Sequence, residues 1–137
     1  VVLDTHVLIW WLADRPRLGA VAARAIDRAA ASDGVILSAI SLFEIATAVR
    51  RGRLVITMPV ERWCAEVRAV DGLRIEPVGA DVAERAAAYD GAVHGDPADR
   101  LILATAHVLA RPLATFDEKL RKSSVVPMAL RGPAARQ

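Results

Sequence analysis

Val1-Val2-Leu3-Asp4-Thr5-His6-Val7-Leu8-Ile9-Trp10-Trp11-Leu12 is the stretch on which the fold turns. Three apolar residues in a row, without polar alternation and ending on an aspartate, are the pattern of a short strand buried on both faces. Thr5-His6 then leads into Val7 to Ala13, whose aliphatic and tryptophan side chains suit a helix packed tightly on a sheet. A strand that passes at once into a helix is half of a βαβ unit.

The same alternation runs down the chain. Leu18 to Ala30 carries Leu18, Val21, Ala22, Ala25, Ile26 and Ala29 at helical spacing, and Ser32-Asp33-Gly34 ends it. Val35 to Ser38 reads as a second strand. Ser41 is suited to cap a following helix that runs through Ile45 and Val49 to Gly52. Pro59 opens a helix through Val70, and Asp71-Gly72 turns into a third strand, Leu73 to Glu76. Asp81 to Asp90 is helical, Gly91 to Pro97 is a loop, and Ala98 to Leu109 is a long apolar helix. Leu113 to Phe116 is a fourth strand that ends at Asp117. Val125-Val126-Pro127 is expected as a fifth, at an edge, where proline is tolerated. The expectation is α/β: a central, mostly parallel sheet of four or five strands, covered by helices on both faces with right-handed crossovers.

A chain of 137 residues has room for one ordinary domain, expected over residues 1–131, with 132–137 as a weakly ordered tail. Hydrophobic residues make up 54% of it, enough to fold on its own apolar burial. Charged residues or glycine interrupt every apolar stretch before membrane-spanning length, and no leader pattern precedes the first strand, so the expected compartment is the cytoplasm and no membrane is involved. Cys64 is the only cysteine, which excludes an internal disulfide and a thiolate metal cluster. The net charge of +2 is compatible with a nucleic-acid partner without arguing for one.

The chemistry lies in the acids. In open parallel sheets the reactive crevice is beyond the carboxyl ends of the strands, where Asp4 and Asp117 follow the first and fourth strands. Each is equally readable alone as a helix cap or turn residue; two at equivalent places weigh against that reading. Glu44 stands among Leu42, Phe43, Ile45 and Ala46, a costly setting for a carboxylate unless it is paired or metal-bound. A capping-box arm to Ser41 explains it as well from spacing alone. Asp96 and Asp99 flank Pro97-Ala98 at a helix start, with Asp99 as the inner ligand and Asp96 as an outer ligand or cap. Carboxylates gathered together repel unless a cation lies between them, and a hard-oxygen set of this kind points to Mg2+ or Mn2+. Phosphodiester hydrolysis is the reaction that draws on all that such a site supplies.

The opening string from Leu3 to Leu12 resembles the start of PIN-domain proteins, specifically the VapC-type toxins of bacterial toxin–antitoxin pairs. Ser41-Leu42-Phe43-Glu44-Ile45-Ala46, His94-Gly95-Asp96-Pro97-Ala98-Asp99-Arg100-Leu101-Ile102 and Thr115-Phe116-Asp117-Glu118-Lys119-Leu120 continue it in order, so the resemblance spans Val1 to about Val126. Phe116 departs from the pattern, where a smaller or polar residue is expected. The resemblance implies a three-layer α/β/α PIN-like domain and a metal-dependent endoribonuclease, with Asp4, Glu44, Asp99 and Asp117 as catalytic acids. It also implies Asp96 as an additional metal ligand, an RNA substrate, an inhibitory antitoxin protein and a homodimeric toxin.

Around the acids, Thr5 is placed to hold Asp4 through its hydroxyl and Thr115 to do the same near Asp117. His6 is read as packing or a substrate contact, His94 as a loop residue or a partner contact, and Arg100 as the partner of a nearby carboxylate or of phosphate. Arg50, Arg51 and Arg53 are read as a solvated helix end or an RNA-backbone contact. One of Trp10 and Trp11 is expected in the core and the other at an interface. Among rivals, Asp4-Thr5-His6-Val7 lacks the second aspartate that a phosphatase of this topology uses, and no lysine follows a late strand as a phospho-receiver requires. A DNA nuclease of related fold and a non-catalytic nucleic-acid-binding regulatory module remain as alternatives.

Overall fold

The computed structural model describes residues 1–91, 93, 95–123 and 125–130; His94 and the expected tail at 132–137 lie outside them. Its strands are β1 (Val2–Leu3), β2 (Val35–Ser38), β3 (Leu73–Glu76) and β4 (Leu113–Ala114). The helices are α1 (Thr5–Ala13), α2 (Arg15–Leu18), α3 (Ala20–Ala31), α4 (Ala39–Arg50), α5 (Val60–Arg68), α6 (Ala80–Ala88), α7 (Pro97–Val108) and α8 (Glu118–Arg121). The sheet runs in the order β3-β2-β1-β4, and every pairing is parallel.

Alternation along each strand divides the core into two layers. In register, Leu3, Leu37 and Ala114 form one row, and Val2, Ile36 and Leu113 form the next. The first row packs with Val7, Leu8, Ile26 and Ile45, from α1, α3 and α4. The second packs with Ile102, Leu103 and Ala106 of α7 and with Leu120 of α8. Burying a leucine or isoleucine of this kind stabilises by about 1.5–3 kcal/mol, which is why such short strands hold together. The result is a three-layer α/β/α arrangement.

The chain moves outward from β1 to β2 to β3 and then returns to lay β4 on the other side of β1. That reversal sets the switch point between β1 and β4, where ligands of open parallel sheets bind. The Asp4 amide donates to the Ala114 carbonyl at 2.9 Å, fixing the exit of β1 to the exit of β4.

Several element ends differ from expectation. The helix expected over Leu18 to Ala30 is two helices, parted at Gly19, where φ is +91°. Ser38 caps α4 in place of Ser41: its hydroxyl accepts from the Ile40 amide at 3.3 Å, and Ser41 is fully buried inside the first turn. β4 stops at Ala114, because the Phe116 and Asp117 amides bond to side chains instead of a neighbouring strand. Val125 to Pro127 forms no strand; Met128 alone bridges Leu113, consistent with the missing amide hydrogen of Pro127. Gly72 is tightly constrained: φ is +79°, and a Cβ there would lie 2.1 Å from the Ala30 carbonyl oxygen. That close approach seats the end of α3 against the entry to β3.

Candidate active site

Asp4 is the N-cap of α1 and is only 4% exposed. Its Oδ1 accepts the Thr5 amide at 2.7 Å and its Oδ2 accepts the Thr115 hydroxyl at 2.7 Å. The Thr115 oxygen in turn accepts the Asp117 amide at 3.0 Å. Asp117 caps α8 through Oδ1, with the Lys119 and Leu120 amides at 2.8 and 3.3 Å. One buried threonine thus joins the acids that leave β1 and β4.

A second threonine serves the third acid. The Thr5 hydroxyl donates to Glu44 Oε1 at 2.6 Å. With its single hydrogen committed there, Thr5 receives the Ser41 hydroxyl at 2.8 Å. Thr115 thus supports Asp117 as expected and Asp4 as well, whereas the Thr5 hydroxyl holds Glu44 and only its amide holds Asp4. The capping-box reading of Glu44 fails, since Ser38 and not Ser41 is the N-cap of α4 and the Glu44 carboxylate takes the Thr5 hydroxyl. Burial, offset in part by the Thr5 hydrogen bond, raises the Glu44 carboxyl above the usual range, and the Asp4 and Asp96 charges raise it further.

Asp96 caps α7 by accepting the Asp99 amide at 3.2 Å. Asp99, in the first turn of that helix, is half-buried and pushed up to about 7, by burial first and then by the charges of Asp4, Asp96, Asp117 and Glu44. The other four acids singled out in the sequence therefore all act on Asp99 electrostatically. Among the described residues no three histidine, cysteine, aspartate or glutamate side chains are set to hold a metal ion together. The five acids share one field without forming a closed ligand set.

His6 reaches the same place from the first turn of α1. Its Nε2 accepts the Phe116 amide at 3.1 Å, which puts the ring proton on Nδ1, 3.4 Å from Asp4 Oδ2. Burial lowers the pKa of the imidazole, against the opposing pull of Asp4 and Asp117, so the ring is neutral at pH 7. Trp10 and Phe116 enclose it, with ring centroids 4.9 and 6.3 Å away. Trp11 is the core tryptophan, donating to Asp27 Oδ1 at 2.9 Å.

Arg100 does not turn to the acids as expected. Its guanidinium donates to the Ala86 carbonyl at 3.0 Å, to the Val93 carbonyl at 3.4 Å and to that of Tyr89, bracing the end of α6 against α7. Sequence reasoning gave Ser41 only a capping role and missed its place behind Thr5. Its signal was the Ser41–Glu44 spacing, which puts both on one face of α4.

The PIN domain family profile matches residues 1–125. The chain belongs to the PIN-domain family. This PIN domain is 38% identical over 121 residues to Ribonuclease VapC22 of Mycobacterium tuberculosis, covering 88% of this chain and 89% of the relative. Among solved structures it superposes on FitAcB from Neisseria gonorrhoeae with a TM-score of 0.65 and 24% identity, over 93% of this chain and 95% of that one. It also superposes on VapBC2 from Rickettsia felis bound to a promoter DNA fragment, with a TM-score of 0.69 and 15% identity, over 93% and 95%. The FitAB structure bound to the IR36 DNA fragment is 25% identical, with a TM-score of 0.62 over 93% and 92%. The PIN domain is thus a homologue of VapC-type toxin ribonucleases. Among the described residues no helix is long and apolar enough to cross a membrane.

Proposed function

We propose that this PIN domain is a Mg2+- or Mn2+-dependent endoribonuclease, the toxin of a type II toxin–antitoxin pair, with Asp4, Glu44, Asp99 and Asp117 as its catalytic acids. The observation that carries the reading is the gathering of these acids beyond β1 and β4, tied together by Thr5 and Thr115, where burial and the other four carboxylates raise Asp99. A divalent cation is the natural counterweight to such a cluster. The donors fit it: they are hard oxygens, the one cysteine is elsewhere in the sequence, and the nearby histidine has its Nε2 occupied. Asp4, Glu44, Asp99 and Asp117 would hold the ion, with Asp96 beside them.

Bound there, magnesium or manganese supplies charge stabilisation to the phosphodiester and acidifies the attacking water. The chain's own residues supply position. Thr115 and the Thr5 amide fix both oxygens of Asp4, and the Ser41–Thr5 relay fixes one oxygen of Glu44, so neither acid reorganises when substrate arrives. Asp99 is the acid whose protonation state changes near neutral pH. His6 keeps its proton on Nδ1 toward Asp4 and holds the exit of β4 through Phe116, a positioning role.

Family membership and the VapC relative support RNA as substrate, and the toxin–antitoxin complex from Klebsiella pneumoniae, with a TM-score of 0.60 and 21% identity, supports a protein antitoxin as partner. A homodimer within that complex is part of the same proposal. The test is purified, antitoxin-free protein with total RNA in magnesium or manganese, beside EDTA and a folded Asp4→Asn protein. Discrete fragments absent from both controls are expected. Metal-independent cleavage, or cleavage retained by Asp4→Asn, would overturn the reading.

A further inference from the structure

Beside the acids, α4 and the start of α7 enclose a groove of about 410 Å³ whose wall includes Glu44 and Asp96 together with Phe43, Arg51 and Arg53. Phe43 is 66% exposed, the only exposed large aromatic among the described residues, and it adjoins Glu44 in sequence. An aromatic face left in water next to a cluster of carboxylates gains nothing for the fold, since burial is what makes such a ring stabilising.

The arginines reach this groove through the end of α4. Gly52 takes φ +70°, its amide bonds the Val49 carbonyl at 3.1 Å, and the Arg53 amide bonds the Ala48 carbonyl at 2.8 Å. This doubled-back helix end is the glycine-terminated motif that returns the chain over its own last turn. It brings Arg53 back beside Arg51. Arg50, the third member of the basic run, lies 3.7 Å from Glu61. Among the described residues no carboxylate forms an ion pair with Arg51 or Arg53. An exposed ring, two uncommitted guanidinium groups and a shared wall with the acids are the parts from which single-stranded nucleic acid sites are built.

We infer that this groove is the subsite for an unpaired nucleotide next to the scissile phosphate, with the base stacked on Phe43 and the adjoining backbone phosphates on Arg51 and Arg53. The inference rests on the ribonuclease reading of the neighbouring acids and deepens it: the substrate is single-stranded at this position, selected by stacking and charge rather than by hydrogen bonds to the base. Positive charge is needed there, because the acids that would hold the metal repel phosphate along the rest of the path.

The test uses short single-stranded RNA oligonucleotides carrying one 2-aminopurine, whose fluorescence is quenched by stacking. Binding is measured in EDTA and cleavage in manganese. Wild-type protein is expected to quench the probe, Phe43→Ala to abolish the quenching and to raise KM about fivefold, the lower end of what one stacked base contributes. Phe43→Trp restores quenching and Phe43→Leu does not, which separates stacking from apolar packing. Arg51→Ala with Arg53→Ala makes the dependence of log K on log salt shallower by about 1.4, the value for two phosphates on a single strand. Val21→Ala, at an exposed position on α3, serves as the control.

Unchanged quenching, KM and salt slope in variants of a wild type that cleaves RNA would overturn the subsite alone. Loss of antitoxin binding in those variants, with RNA binding intact, would overturn it in favour of a protein-docking surface. A wild type that neither binds nor cleaves RNA would overturn it together with the ribonuclease reading.

Discussion

The Thr115 hydroxyl donates to Asp4 Oδ2 at 2.7 Å across 111 positions of sequence, and its oxygen accepts the Asp117 amide. One side chain thereby sets both an acid leaving β1 and the backbone from which an acid leaves β4. Thr115→Val keeps the shape and removes the donor and acceptor. Because Asp4 is buried, losing this partner is expected to cost about 1–3 kcal/mol in urea unfolding. RNA cleavage should fall more than this loss of folded protein explains, and Thr115→Ser should restore both. A valine variant with wild-type stability and activity would show that Asp4 does not depend on this bond.

Asp99 predicts an unusual pH dependence. Its ordinary value is 3.8 and the fold pushes it up to about 7. Between those values the folded state holds more protons than the unfolded one, so this group's contribution to stability falls as pH rises from about 4 through 7. A carboxylate held by a cation would behave oppositely. In EDTA, the Tm of Asp99→Asn relative to wild type is expected to rise from pH 5 to pH 8, with the variant the more stable at pH 8. Saturating magnesium should close the gap by stabilising the wild type. A difference between the two proteins that ignores pH would refute the raised value.

His6 is expected to titrate below its ordinary 6.5, since burial is the largest influence on it. Its neutral form should carry the proton on Nδ1, because Nε2 accepts the Phe116 amide. Nitrogen NMR shifts of the imidazole report both features. A titration above 6.5, or a proton on Nε2, would contradict this hydrogen-bond pattern.

Gly72→Ala tests the seat of β3. Positive φ alone costs about 1–3 kcal/mol for a residue with a side chain, and the 2.1 Å approach to the Ala30 carbonyl adds a backbone clash that no rotamer relieves. The alanine variant should melt well below wild type, whereas Gly91→Ala, with nothing within 4 Å of the added carbon, should not.

The strands were readable because Val1-Val2-Leu3, Val35 to Ser38 and Leu113-Ala114 are apolar runs that each end where polarity begins, while their order in the sheet was not. Long-range hydrogen bonds leave no such trace. Thr5 and Thr115 were recognised as supports for acids, yet which threonine serves which acid depends on the parallel register that sets β1 between β2 and β4. Arg100, next to Asp99 in sequence, was read as the partner of a nearby carboxylate or of phosphate, while its hydrogen bonds go to carbonyls of Ala86, Tyr89 and Val93. On a helix, successive residues point about 100° apart, so adjacency in sequence is poor evidence for contact. Gly19 was passed over because a lone glycine within a helical stripe is tolerated often enough to be read through.

Four carboxylates, from the ends of β1 and β4, the middle of α4 and the first turn of α7, with Asp96 beside them, are proposed to form one divalent-cation site. A calorimetric titration of Mn2+ at pH 7, repeated in two buffers of different ionisation enthalpy, tests it most directly. Saturable binding to wild type is expected, with release of a proton as the cation draws Asp99 back below neutrality, and weaker binding without that release in Asp99→Asn. No saturable binding by folded wild type, or identical heats and proton release in the variant, would contradict it.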